Sequence, residues 1–240
     1  MTTLSNINTS VPNISIHWNG DSAITLFFDA EAGEDLTRDI LSLAEEYKST
    51  FSESLIEAIP AYQSLTLCFD SQSIDPESIE TSIKAILDNG FNDIATTTSR
   101  VIEIPVCYQG AYAPDLSSLA EYCKLSVDEV IQQHTQATYL VNMLGFLPGF
   151  LYLSGLADPL HCPRKKTPSL HVPAGAVGIG GNQTGVYPVG SPGGWHIIGQ
   201  TPLSIFNPSA KQAFIAQPLD KIQFVPISIE QFEKVDQEQI

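Results

Sequence analysis

Two kinds of hydrophobic pattern alternate along the first hundred residues. The apolar runs Ala23–Phe28 and 62–69 are rich in residues that favour β-strands. Residues 34–47 and 75–90 instead repeat apolar side chains every three or four positions, which is the spacing of one face of an α-helix. A strand–helix–strand–helix order is typical of a small antiparallel sheet covered by helices. We therefore expect an α+β domain over residues 1–98.

The pattern changes after the polar segment TTTSR at residues 96–100, which marks the expected domain boundary. Residues 100–108 predict a strand, and two short helices are expected next. From Tyr139 onward helical spacing disappears, and short β-prone runs alternate with glycine and proline. This pattern is typical of a closed or sandwiched β structure, so we expect a β-rich domain over residues 99–240. Its expected strands are TYLVNM, AVGIG, GVYPV, WHIIG, PLSIF, QAFIAQ and KIQFVPI.

The second of the two short helices carries a histidine among apolar residues. Ser126 and Glu129 have the spacing of a capping box, which predicts where this helix begins. His134 lies seven residues after Val127 and therefore falls on the apolar face. Such a position is more typical of a core histidine than of a catalyst. The catalytic group is unknown from the sequence, and His134 is its candidate.

The segment NMLGFLPGFLYLSGL, residues 142–156, is apolar but interrupted by glycine and proline. It is too short and broken to span a bilayer, which takes about 20 apolar residues, and it predicts neither a helix nor a strand. We expect a shaped loop that contacts a ligand groove or a partner protein through Phe146, Pro148, Phe150 and Tyr152, since exposed apolar patches mark interaction sites. A buried connection inside the β-rich domain is the alternative.

Charge is distributed unevenly along the chain. The 240 residues include 27 acidic and 11 basic side chains, a net charge of −16. Residues 1–98 hold 16 acidic and 3 basic side chains, a net −13, and residues 99–240 carry the remaining −3. The acidic first half argues against binding to nucleic acid. The second half is compatible with a small anionic ligand or with an ordinary solvated surface.

Cysteine and histidine spacings predict no metal site and no disulfide framework. Cys68, Cys107, Cys123 and Cys162 form no CxxC pair, and the histidines match no ligand pattern. The first ten residues lack the basic and apolar segments of a signal peptide. Reduced cysteines without a signal peptide predict a cytoplasmic protein.

A glycine-rich block at residues 172–203 is the strongest candidate for ligand binding. Backbone N–H groups in glycine turns can bind carboxylate or phosphate oxygens, and polar and aromatic side chains would add donors and a stacking surface. The alternative is that its nine glycines only form tight corners. Phosphate-loop, dinucleotide-binding, HExxH and GxSxG motifs are absent from the sequence. The candidate binding residues of the block are Gly175, Gly180, Gln183, Thr184, Tyr187 and Trp195.

Several long motifs resemble the 5-oxoprolinase B-subunit family. They are GFLPGFLYLSGL, PRKKTP, VPAGAVGIGGNQTGVYP and SPGGWHIIGQTPL, preceded by GDSAITLFF, AIPAYQSLTLCFD and IPVCYQG. The same family includes the Kip-type inhibitor of a sporulation sensor kinase and proteins called allophanate hydrolase subunit 1. The resemblance covers roughly residues 14–227 and implies a cyclophilin-like β-barrel for the second domain.

The resemblance also implies a subunit of an enzyme that is not active alone. With a subunit-C-like carboxyltransferase-domain protein and a subunit-A-like protein, such a chain opens 5-oxo-L-proline to L-glutamate at the expense of ATP, which partner subunits bind or share. Two alternatives stay open. One is an inhibitor that binds a sensor histidine kinase, and the other is a subunit of allophanate hydrolase or of a biotin-dependent urea-type carboxyltransferase.

Within the PRKK motif, Arg164 is the first candidate to contact a substrate carboxylate, because a guanidinium matches a carboxylate through two parallel hydrogen bonds. The chain departs from the family at three other positions. Family members commonly have Arg at Ser169, Ser at Ala176, and Arg or Lys at Gln200. If the family uses those groups on its substrate, this chain is expected to bind a different ligand or to bind more weakly.

Overall fold

The structure is a computed structural model that describes residues 13–91 and 99–238. The chain divides into two compact units, with the division between residues 98 and 99. The first unit contains two β-hairpins, each followed by a helix. Its elements are β1 (Ile14–Asn19), β2 (Ala23–Phe28), α1 (Glu34–Thr50), β3 (Leu55–Pro60), β4 (Ser64–Phe69) and α2 (Pro76–Asn89).

The four strands of the first unit form one antiparallel sheet in the order β1-β2-β4-β3. Alternate residues of the central strands, such as Leu26 and Leu67, are fully buried and pack with Tyr47 of α1 and Ile83 of α2 in one hydrophobic core. The carboxylate of Asp75 caps α2 by accepting a hydrogen bond from the backbone N–H of Ser78 at 3.1 Å. The expected small antiparallel sheet with helices is confirmed.

The expected order of one strand before each helix is wrong, because each expected strand is the second strand of a hairpin. The first strand, β1, alternates Ile14, Ile16 and Trp18 towards the core, but these residues are only half-buried. The third strand, β3, shifts its register against β4 between Leu55 and Glu57. Such a bulge interrupts the alternation of apolar and polar positions from which a strand is predicted.

The second unit is a closed barrel of seven strands in the order β10-β7-β6-β13-β5-β12-β9, in which β9 pairs with β10. The first and last barrel strands along the chain, β5 and β13, pair in parallel, and the other neighbours are antiparallel. The elements are β5 (Val101–Cys107), α3 (Leu116–Cys123), α4 (Val127–Gln136), β6 (Thr138–Leu144), β7 (Leu151–Ser154), β8 (Ser169–Val172), β9 (Ala176–Gly180), β10 (Gln183–Val186), β11 (Ser191–Gly193), β12 (His196–Gln200), β13 (Lys221–Ile227) and α5 (Ile229–Glu238). The expected β-barrel is confirmed.

A two-stranded sheet and the helix α4 lie outside the barrel strands. The strands β8 and β11 pair only with each other and form a separate two-stranded sheet. Helix α4 begins with the expected capping box, in which Glu129 N–H donates to Ser126 Oγ at 3.2 Å and Ser126 N–H donates to Glu129 Oε2 at 2.7 Å. Its buried face places Val130 and His134 at the core of the barrel.

Other expectations for the second unit are wrong. The runs PLSIF and QAFIAQ are not strands and share only an isolated bridge between Phe206 and Phe214. The expected strand GVYPV ends at Val186. Apolar runs of this length pack in loops as well as in strands. Ile205, for example, is buried although it lies in a loop. A helix, α5, lies where helical spacing was not expected.

The segment 142–156 is regular at both ends and irregular only in the middle. Residues up to Leu144 belong to β6, and Leu151–Ser154 forms β7, so the expectation of a segment without regular structure is wrong there. The turn between them has left-handed backbone at Phe146, with φ of 62°, and at Gly149, with φ of 87°. Glycine tolerates this conformation and larger side chains rarely do. Within the turn, Gly145 N–H donates to the Phe150 carbonyl at 3.3 Å and Phe150 N–H donates to the Leu147 carbonyl at 3.0 Å.

Candidate functional site

A small aromatic cluster, separate from the barrel core, forms the base of the site. It contains Phe150, Tyr187 and Trp195, which are at least 96% buried, together with the half-buried Tyr152. The Phe150 ring stands at the centre, with its centroid 4.9 Å from that of Tyr187 and 5.4 Å from that of Trp195, both nearly perpendicular. Edge-to-face packing of this kind holds aromatic side chains in fixed orientations.

Glycines of two barrel strands form the surface on which Trp195 lies. A Cβ atom at Gly180 would come within 2.7 Å of the indole, and one at Gly185 would come within 3.0 Å of it. At Gly178 a Cβ would lie 3.2 Å from Trp195 Cβ. These glycines are therefore required for close approach of the ring. This role differs from both sequence interpretations, the anion-binding turn and the tight corner.

A pocket of about 240 Å³ opens beside this cluster. Strands β7 and β11, the turn before β7 and the segments that lead into β8 and β12 all contribute to it. Arg164 is the one charged residue among those that line it. The lining residues are Phe146, Phe150, Tyr152, Arg164, Pro168, Tyr187, Pro192, Gly193, Gly194 and Trp195.

The Arg164 guanidinium lies over the face of Trp195, with its central carbon 5.8 Å from the ring centroid. A cation at this distance is attracted by the negative face of the ring. Arg164 itself is exposed, so its hydrogen-bond donors are accessible from the pocket mouth. The arrangement offers a positive charge that can bind a carboxylate or another anionic oxygen.

Two tyrosines supply neutral hydroxyl groups to the same pocket. Burial raises the pKa of Tyr152 and of Tyr187, and the nearby Arg164 charge only partly opposes this effect. Both phenols therefore keep their protons at neutral pH. The backbone N–H of Trp195 donates to the Tyr187 oxygen, which leaves the Tyr187 O–H as a donor for another group.

The pocket brings together six of the residues predicted from the sequence: Phe146, Phe150, Tyr152, Arg164, Tyr187 and Trp195. Phe146 is 63% exposed at its mouth, whereas Phe150 is 1% exposed at its base. Pro148 is exposed but does not line the pocket. The sequence interpretation missed Pro168, Pro192, Gly193 and Gly194, although the last three lie inside the glycine-rich block.

Four other predicted binding residues lie outside the pocket lining. Gly175 has φ of 76°, and its N–H donates to the Tyr187 carbonyl at 2.7 Å, so this N–H already has a protein partner. Gly180 acts through Trp195, as described above. Gln183 is half-buried at the start of β10, and Thr184 is fully buried beside it.

The three positions that depart from the family pattern also lie outside the pocket lining. Ser169 accepts a hydrogen bond from Lys165 Nζ at 3.2 Å, and Gln200 Nε2 donates to the Ala174 carbonyl at 2.7 Å. Ala176 is fully buried in β9.

His134 packs against Tyr139 and Phe224 of the barrel core and does not line the pocket. It is fully buried, and its ring stacks on Phe224 with centroids 4.6 Å apart. His134 Nδ1 is 2.8 Å from the Tyr108 hydroxyl, and Nε2 is 2.9 Å from Thr184 Oγ1. Thr184 in turn donates to the Gly178 carbonyl at 3.0 Å, so the consistent pattern has Nε2–H as a donor and Nδ1 as an acceptor. Burial lowers the pKa of His134 to about 3, which keeps the ring neutral.

Within the described residues, no group of three or more histidine, cysteine, aspartate or glutamate side chains is arranged to hold a metal ion. None of the helices in this part of the chain is long and apolar enough to cross a membrane. All four cysteines are free thiols.

Comparison with known proteins gives a consistent family. The family model described as carboxyltransferase domain, subdomain C and D, matches residues 14–216. A curated relative, the 5-oxoprolinase B-subunit of Bacillus subtilis, is 39% identical over 218 residues, which cover 87% of this chain and 91% of the relative.

Solved structures agree with this comparison. The crystal structure of TTHA0988 superposes with a TM-score of 0.72 at 33% identity and covers 86% of this chain. This chain spans only 40% of that longer protein. The urea amidolyase of K. lactis superposes with a TM-score of 0.79 over 98% of this chain, which is 16% of that protein, but at 19% identity. The last likeness is one of fold alone.

Proposed function

We propose that the chain is a substrate-binding subunit of an ATP-dependent 5-oxoprolinase. The premise is that the chain belongs to the carboxyltransferase-domain family that contains the 5-oxoprolinase B-subunits. The observation that carries this proposal is the pocket in which Arg164 lies over Trp195 beside two neutral tyrosine hydroxyls. 5-Oxo-L-proline is a small ring with one carboxylate and one amide. The pocket offers a matching group for each part.

The size and polarity of the pocket support a small cyclic acid. Its volume of about 240 Å³ lies below the roughly 300–1,000 Å³ of pockets for drug-sized ligands. Arg164 would bind the carboxylate through its guanidinium. The Tyr187 O–H would donate to the amide oxygen, where negative charge develops when the ring opens. Aromatic and proline walls would exclude water from the apolar part of the ring.

A nucleoside triphosphate does not fit this pocket. Several phosphate charges require several cations or a cradle of backbone N–H groups, and the lining offers one guanidinium. We therefore propose that partner subunits bind ATP. The partners that complete the enzyme are a subunit-C-like carboxyltransferase-domain protein and a subunit-A-like protein, and the chain alone is expected to be inactive.

The test is reconstitution. The chain is purified together with both partner subunits, and glutamate is measured from 5-oxo-L-proline with and without ATP. We expect ATP-dependent glutamate that disappears when this chain is omitted. A complete complex that makes no glutamate would contradict the proposed function.

A matched pair of variants then tests the pocket. Arg164→Gln removes the proposed carboxylate contact, and kcat/KM is expected to fall about 10- to 100-fold, the range for loss of a hydrogen bond to a charged group. Lys166→Gln removes the same charge two residues away, where the side chain is exposed and outside the pocket lining, and activity is expected to be unchanged. Equal effects of the two variants would refute the role of Arg164.

The urea-type alternative has weaker support, because urea amidolyases match this chain at 23% identity or less, and the kinase-inhibitor alternative stays an untested prediction. We propose neither of them.

A further inference from the structure

The backbone on both sides of Arg164 is fixed to the barrel. Cys162 and Gly181 exchange two backbone hydrogen bonds, of 3.0 and 2.7 Å. His196 Nε2 lies 3.0 Å from the Pro163 carbonyl, which can only accept, so this nitrogen carries the hydrogen. On the other side, Lys165 N–H donates to the Gly194 carbonyl at 2.7 Å. The exposed Arg164 side chain therefore starts from a rigid segment.

The side chain of Lys165 adds a charged contact to these backbone bonds. Its ammonium lies 2.5 Å from Asp115 Oδ2. Both side chains are only 19% exposed, so solvent screens this ion pair less than it screens a pair on an open surface. Asp115 immediately precedes α3 and does not line the pocket.

Asp115 also binds β12, the strand that directly follows Trp195. Its Oδ2 accepts a hydrogen bond from Ile197 N–H at 2.7 Å, and its own N–H donates to the Ile197 carbonyl at 2.9 Å. Ile197 lies two residues after Trp195 in the sequence. A single carboxylate is thus bonded to the Arg164 segment on one side and to the Trp195 segment on the other.

We propose that Asp115 and Lys165 are positioning residues that set the stacking of Arg164 over Trp195. Neither residue touches the pocket. Their ion pair fixes the distance between the two segments, so the guanidinium is held in place before a ligand arrives and less freedom is lost on binding. This inference rests on the proposed function only for the identity of the ligand. The placement of Arg164 is a property of the free chain.

Arginine side-chain NMR tests the placement without any assumption about activity. The sequence has three arginines, Arg38, Arg100 and Arg164, so the Nε–Hε spectrum of the full chain has three signals at most. Loss of one signal in Arg164→Gln assigns it. We expect this signal to be shifted upfield by the ring current of Trp195. In Asp115→Asn and in Lys165→Gln it is expected to move towards the shift of an unstacked arginine.

Three features of the chain control this experiment. Asp115→Asn is isosteric and keeps an oxygen that can accept from Ile197 N–H, so it removes the charge of the pair with little change in shape. Arg38 and Arg100 pair with acidic residues elsewhere, and their signals serve as internal references for an intact fold. Lys166→Gln, an exposed neighbour, is expected to leave the Arg164 signal in place.

Titration with 5-oxo-L-proline adds the functional readout. We expect each single variant to weaken binding about tenfold, and the double variant to weaken it no further, because both changes break one interaction. An Arg164 signal that stays unchanged in both variants would overturn the positioning role, as would a shift that Lys166→Gln reproduces. If the parent chain binds no 5-oxo-L-proline, the proposed ligand is wrong, and the three-signal spectrum still decides the positioning role.

Discussion

Acidification tests the buried histidine of the barrel. Burial lowers the pKa of His134 to about 3 in the folded chain, whereas a histidine in an unfolded chain has a pKa of about 6.5. Below about pH 6.5 the unfolded chain therefore binds a proton that the folded chain does not bind. The free energy of unfolding must fall as the pH falls, beginning near the unfolded pKa of about 6.5 and ending near the folded pKa.

The size of the effect follows from these two values. Between pH 7 and pH 5, His134 alone is expected to lower the free energy of unfolding of the barrel unit by about 2 kcal/mol. Its nearest ionisable neighbours do not titrate in this window, because burial raises the pKa of both Tyr108 and Tyr139. Asp220 is a separate buried acid. Burial by itself would raise the pKa of Asp220, but hydrogen bonds from Arg100 and from backbone N–H groups lower this pKa below its ordinary value.

Urea unfolding at several pH values between 5 and 8 measures the effect. The chain has two tryptophans, one in each unit, so a Trp18→Phe background leaves Trp195 as the fluorescent reporter of the barrel unit. His134→Gln removes the titrating ring and keeps a neutral polar side chain. We expect this variant to be less stable at pH 8, because its hydrogen bonds and packing are poorer, but to lack the loss of about 2 kcal/mol between pH 7 and pH 5.

The difference between the two pH profiles decides the outcome. His161, His171 and His196 are present in both proteins, so their contributions cancel. Parallel profiles for the parent and His134→Gln would show that His134 titrates alike in the folded and unfolded chains. The assignment of a neutral, hydrogen-bonded core histidine would then be refuted.

Two further substitutions test the packing around the site and the closure of the barrel. Gly185→Ala places a methyl group 2.4 Å from the Leu151 carbonyl oxygen, a backbone atom that cannot move aside, so urea unfolding is expected to show a loss of about 3 kcal/mol. Gly194→Ala, whose Cβ would make only an ordinary 3.8 Å contact, is the control and is expected to stay within about 0.5 kcal/mol; similar losses for both would contradict the argument. Asp220→Asn leaves the Arg100 guanidinium without its buried carboxylate and is expected to cost about 3 kcal/mol, whereas an unchanged urea midpoint would show that the pair does not stabilise the fold.

Local patterns in the sequence predicted the elements whose signals lie within one turn or one strand. The capping box at Ser126 depends on side chains three residues apart, and it forms. Helical spacing predicted α1 for the same reason. The strand β3 was not predicted because its residues show no simple alternation of apolar and polar positions. Its bulge arises from the pairing with β4, which its own residues do not indicate.

The pocket depends on contacts between distant residues, and the sequence predicted only part of it. Arg164 and Trp195 were candidates individually, but nothing in their separation of 31 residues indicates that the guanidinium stacks on the indole. The role of Gly180 and Gly185 was not predicted either, because a glycine that admits a ring from another strand looks the same in sequence as one that turns a corner. Asp115 was missed because its partners come 50 and 82 residues later.

The parallel pairing of β5 with β13 has a consequence for synthesis of the chain on the ribosome. All strands of the first sheet have been made by Phe69, so that sheet can form while most of the barrel has yet to be synthesised. In the barrel, the parallel partner of Val101 is Lys221, which is synthesised 120 residues later. Until then β5 and β6 present unpaired edges to which other chains can add. The interval before residues 221–227 emerge is therefore the period in which the nascent protein most needs protection by chaperones.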